Sequence, residues 1–158
     1  MTTHCSARCC GQAQALTAPE AARARVARLW LAQAEHDLSD AEYAAAGGRH
    51  ALACFLGHQV AEKAVSAFLY GSGAERVWGH ALADLCEDAM NFDATFDVLK
   101  SEAMLLDKHH LGARYPSALP GGVPAETYDA HDSARALQIA RDTLEFVTTR
   151  VASIRPQP

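Results

Sequence analysis

At 158 residues, with 49% hydrophobic and 21% charged residues, the chain has the size and composition of one globular domain, far from a disordered polymer. Fourteen lysines and arginines against 19 acidic residues leave a net charge of −5, so no general attraction for nucleic acid follows and any such contact needs a local basic patch. Charges break every apolar stretch well short of about 18 residues, and the N-terminus has no signal-type hydrophobic run; no membrane-spanning helix and a cytoplasmic location are therefore expected.

Residues 1–16 lack periodicity and read as a flexible tail before a domain spanning 17–155. Thr17-Ala-Pro-Glu20 carries helix-start signals: a capping threonine, a glutamate three residues on and a proline in the first turn. The first helix is expected to run to Ala46, where Gly47-Gly48 stops it, with Leu31, Ala34, Leu38, Ala41 and Ala45 as its apolar stripe. A second helix is expected over 50–70, ended by Gly71-Ser-Gly73, with Leu52, Leu56, Val60, Ala64 and Phe68 on one face and Phe55 and Leu69 widening it. A short third helix is expected over 80–90. The fourth starts near Asn91 or Asp93, either of which can cap it, and buries Phe92, Phe96, Leu99, Ala103 and Leu106.

From Gly112 to Glu126, three prolines and Gly121-Gly122 exclude a regular helix and predict a long loop. The last helix is expected over 128–153 on the stripe Leu137, Ala140, Leu144, Val147 and Val151. No segment alternates like a strand. The fold class is therefore all-α: an up-down four-helix bundle with one additional short helix. Five cysteines, an odd number with Cys54 and Cys86 on apolar faces, do not suggest a disulfide framework.

Four local patterns, in order, resemble the HEPN domain family. They are Trp30-Leu-Ala-Gln-Ala-Glu-His-Asp37-Leu, the Gln59-Val-Ala-Glu62-Lys63-Ala segment, Gly79-His80-Ala-Leu, and Leu106-Asp107 followed by Arg114-Tyr115-Pro116. Together they cover roughly 28–150. The resemblance implies an up-down helical bundle, commonly a homodimer, often encoded beside a nucleotidyltransferase partner protein and associated with nucleotide or RNA. One branch of the family is ribonucleolytic and carries an arginine, four to six residues, then a histidine. This chain departs from that spacing: Arg76 precedes His80 by too few residues, Arg28 and Arg49 precede His36 and His58 by too many, and Arg114 has no histidine before His131.

The remaining candidates have two readings each. Gln59 and Lys63, four apart beside an apolar face, point into a cavity or a dimer interface, or else form a solvated edge with Lys63 snorkelling. Arg114 and Tyr115 open the long loop; they hold a phosphate and stack on a base, or Arg114 pairs with Asp107 or the last carbonyls of its helix. In an up-down bundle, one end gathers Arg49, His50, His58, Lys108, His109, His110, Arg114 and His131. That end is either an anion site that gains charge toward pH 6 or a set of unrelated surface histidines. No helical His-x-x-x-His pattern argues for a metal there. His4, Cys5, Cys9 and Cys10 match no zinc spacing, and Glu35, Asp37, Asp40 and Glu42 read as a solvated face of the first helix.

The expected function is a nucleotide-associated binding or toxin–antitoxin-type module acting as a homodimer. Its site would draw on Gln59, Lys63, Arg114, Tyr115, Arg49, His58 and Lys108, with no cofactor and no metal. The alternatives are a diverged metal-independent endoribonuclease or a purely structural dimerisation domain, and the missing Arg–His spacing leans the reading away from an enzyme.

Overall fold

The computed structural model describes residues 17–154; the expected tail at 1–16 lies outside them. The first helix, α1 (Ala18–Ala46), begins where the backbone N–H and hydroxyl of Thr17 both donate to Glu20, at 2.7 and 2.6 Å. Gly48, at φ +71°, reverses the chain into α2 (His50–Ser72). That helix runs two residues beyond its expected end, and Gly73 stops it in the left-handed region at φ +105°.

Nearly every side of α2 is covered. It packs chiefly on α1 and on the last helix, α6 (Ala130–Ser153), and also touches α3 (Leu82–Met90) and α4 (Asp97–Gly112). The close pairing with α6 depends on Gly57: a Cβ there would stand 3.4 Å from the carbonyl oxygen of Ala136. The core fills from α2 outward with Val60, Val65, Phe68 and Leu69, joined by Leu82, Leu85, Phe96, Leu106 and Val147. Phe96 meets Phe68 at 4.3 Å and Phe146 edge-on at 5.2 Å.

α1, α2, α4 and α6 form the bundle, and α3 is the additional short helix. No strand occurs among the described residues. Three local expectations are corrected. α3 starts at Leu82 rather than at residue 80, because its first free N–H groups are taken by Asp107 of α4 and not by a residue just before it. Phe92 lies in the turn ahead of a 3₁₀ segment (Ala94–Phe96) and is 51% exposed, outside the stripe. Leu52, expected on the buried face of α2, is 49% exposed at the rim of a groove.

The loop after α4 is irregular, as its prolines dictate, apart from a 3₁₀ turn (Pro116–Ala118) and a single helical turn, α5 (Pro124–Thr127). α6 starts at Ala130, two residues past its expected start. Asp129 caps it, accepting from the N–H groups of His131 and Asp132 at 2.8 and 3.1 Å. No described helix is long and apolar enough to cross a membrane.

Candidate functional site

The arginines expected at one end of the bundle do converge. Arg49, the residue before α2, and Arg114, just after α4, line one groove with His50, Leu52, Phe55 and Val123. The guanidinium of Arg114 sits 4.4 Å above the Phe55 ring and 5.7 Å from the ring of Tyr115. Phe55 thus supports one face of the guanidinium and leaves its N–H edge for a ligand. No carboxylate among the described residues forms a salt bridge with Arg49 or Arg114. His50 is tied to the start of α6, its Nδ1 lying 3.0 Å from Ser133 Oγ.

One turn further along α2, a second and drier cluster begins. His58 is completely buried, and its Nε2 donates to Asp107 Oδ1 at 3.1 Å. Asp107 does not pair with Arg114. Its two oxygens also accept from the N–H groups of Leu82 and Ala83, at 2.6 and 3.0 Å, so one carboxylate holds both the imidazole and the start of α3. A carboxylate acceptor fixes the proton on Nε2 and leaves Nδ1 as a bare acceptor in the neutral ring. That Nδ1 has no hydrogen-bond partner, and neither does the buried Nδ1 of His110.

Glu62, a turn beyond His58, places Oε2 3.6 Å from His58 Nδ1 and Oε1 3.0 Å from Nδ1 of His80. Gln59 donates to Glu62 at 3.1 Å. The His110 ring lies 4.9 Å from that of His58 and stacks on His80 at 5.2 Å and 14°. Burial depresses the His58 pKa against the opposing pull of Glu62 and Asp107.

The other expected residues are dispersed. Lys63 turns toward α1 and forms an ion pair with Asp37, which also accepts from Gln33 at 2.7 Å. Asp37 is only 7% exposed, so that part of the supposed solvated face is interior. Lys108 is exposed on α4. His109 faces Tyr128, its Nδ1 at 3.4 Å from the phenol oxygen, and burial lowers its pKa. His131 is exposed in the first turn of α6.

Sequence reasoning missed Glu62, Asp107 and His80 as members of a cluster. Two signals were available: His58-x-x-x-Glu62 puts an imidazole and a carboxylate on one helical face, and Asp107-x-x-His110 does the same on α4.

A family model for the HEPN domain matches residues 27–151. The crystal structure of TT1696 from Thermus thermophilus is similar at a TM-score of 0.74 and 35% identity, covering 78% of this chain and 97% of that one. ST0689, an archaeal HEPN homologue, is similar at a TM-score of 0.66 and 36% identity, covering 79% of this chain and 97% of that one. An HEPN domain protein from Thermotoga maritima, tm0613, is similar at 0.64 and 28% identity, covering 79% of this chain and 98% of that one. A search of the curated proteins finds no match. The all-α bundle and these matches agree: the chain belongs to the HEPN domain family.

Proposed function

We propose that the protein is a nucleotide-binding module of toxin–antitoxin type, which acts as a homodimer and works with a nucleotidyltransferase partner. The observation that carries this reading is the groove lined by Arg49 and Arg114, two cations without a carboxylate partner among the described residues, one of them 4.4 Å over the Phe55 ring. An acidic chain attracts a phosphate only where its positive charges are gathered and left unpaired. Guanidinium edges match phosphate oxygens in pairs. Tyr115, half-exposed beside Arg114, offers a face on which a base can stack. Lys108 adds charge on the last turns of α4. Gln59 and His58 belong to the adjoining buried cluster, and Lys63 bears on the site only through its hold on α1. The dimer and the partner are supported by family membership.

Calorimetric titration with ATP at low salt tests the groove. Wild type should bind, more weakly as salt rises, and Arg114→Ala should lose about 1.5–3 kcal/mol, the usual worth of a hydrogen bond to a charged group. Thermal melting of the same variant shows whether its loop and fold are intact. Unchanged affinity in a folded Arg114→Ala removes this residue from the site, and absence of binding by wild type removes the site. Degradation of a mixed RNA pool by wild type, abolished in Arg114→Ala, would replace a binding module with a nuclease.

A further inference from the structure

We propose that His58, Glu62 and His110 form a binding site for a zinc-class divalent cation, distinct from the arginine groove. One potential ligand atom from each of these residues lies within 4.8 Å of the other two, and the Nδ1 atoms of both His58 and His110 are buried with no hydrogen-bond partner. His58, with its proton committed to Asp107, presents its Nδ1 lone pair beside the Glu62 carboxylate, and the neutral His110 ring offers a second lone pair in the tautomer protonated at Nε2. Two acceptors this close and this little exposed, His58 Nδ1 and Glu62 Oε2, repel unless something positive sits between them.

Geometry favours a metal ion over a hydrogen bond. The 3.6 Å from His58 Nδ1 to Glu62 Oε2 is too long for a hydrogen bond. It is close to the separation of about 3.4 Å that two ligands at about 2.1 Å adopt around a tetrahedral ion. His110, half-buried on the last turns of α4, closes the remaining gap by turning about its side-chain bonds.

The surroundings complete the chemistry. The bond from His58 Nε2 to Asp107 is the carboxylate–histidine contact that orients a metal-binding imidazole and raises its basicity. Asp107 is itself held by two backbone N–H groups, so the ring cannot swing away. Two nitrogens and one carboxylate oxygen suit zinc and its transition-metal neighbours rather than calcium or magnesium, which take oxygen. The fourth position faces the surface beside His80, whose side chain is 68% exposed and whose Nδ1 already lies 3.0 Å from Glu62. His80 or a solvent molecule fills it, leaving a coordination site open from outside.

The test uses the full chain with Cys5, Cys9 and Cys10 replaced by serine, so that the cysteine-rich N-terminus, outside the described residues, cannot supply thiolates. After chelator treatment, zinc and cobalt(II) are titrated separately. One equivalent should bind, and the cobalt form should show the visible band of a four-coordinate site without thiolate charge transfer. Zinc should shift the ring signals of His58 and His110 in the NMR spectrum of this chain, a readout that needs no change at the site. Glu62→Gln and His110→Gln, each checked for helicity and melting in chelator, should bind zinc about a hundredfold more weakly or worse, since outer contacts alone contribute 10–100-fold. No saturable zinc binding, undisturbed His58 and His110 signals, or unchanged affinity in a folded variant would each overturn the site. Because this readout involves neither ATP nor Arg114, it fails or succeeds independently of the groove.

Discussion

Lys63 and Asp37 show how a charged pair is written into a core. Asp37 falls on the buried side of α1 with Ala34 and Ala41, at the phase the sequence reading assigned to Leu38, which is only partly buried. A carboxylate there is tolerable because Lys63 of α2 reaches it and Gln33 donates to the other oxygen. Asp37→Ala leaves the ammonium without its partner. With the two side chains 23% and 9% exposed, the loss should be about 2 kcal/mol, below the 3–5 kcal/mol of fully buried pairs. Urea unfolding measures it, and adding Lys63→Met should recover most of the loss; a double variant no better than the single would show that the pair is not the cause. The sequence concealed this pair because a charge in an apolar stripe makes sense only with its partner, which stands on another helix. The same reason hid His58, Glu62, His80, Asp107 and His110 as one cluster: their spacing on α2 and α4 was visible, their meeting across the helices was not.

Among the elements, those that stop and start on local chemistry were legible and those that start on a distant residue were not. Thr17, Gly47-Gly48 and Gly73 act within a few residues of the ends they set. α3 takes its start from Asp107, far along the chain, and so was placed two residues early. At α6 the signal was present in Asp129, whose side chain accepts two backbone N–H bonds that hold its carboxyl below the ordinary aspartate range. The sign of the linkage follows from that depression. A carboxyl that ionises more readily in the folded state stabilises it above the unfolded value of about 3.9, and the contribution is lost as pH falls through the folded value. Asp129→Ala should therefore unfold at lower urea than wild type near neutral pH, and the gap should narrow under strongly acidic conditions, on the order of pH 2. A gap independent of pH would mean that the charge on Asp129 contributes nothing to the cap.

For the whole molecule, the helical periods carried the architecture, since four stripes of apolar residues have few ways to bury one another. They carried the dimer less directly. Trp30, Leu31 and Phe55 are all used within the chain: Trp30 lies 5.4 Å from Tyr70, Leu31 is in the core and Phe55 underlies Arg114. Other apolar residues remain uncovered instead. Val26, Leu29 and Tyr43 run along one face of α1 at 37%, 60% and 84% exposure. Light scattering at micromolar concentration should return twice the chain mass if the protein is the expected homodimer. A single-chain mass at high micromolar concentration would exclude it.

The central position of α2 has a consequence for the order in which the chain folds. α1 and α2 are adjacent in sequence and joined by a tight turn, so their hairpin closes with little loss of loop entropy. Another flank of α2, where Gly57 receives Ala136, is covered by α6, which follows much later in the chain. Until that helix leaves the ribosome, the Gly57 flank of α2 has no cover, and a nascent chain paused before α6 would be inclined to aggregate or to recruit a chaperone.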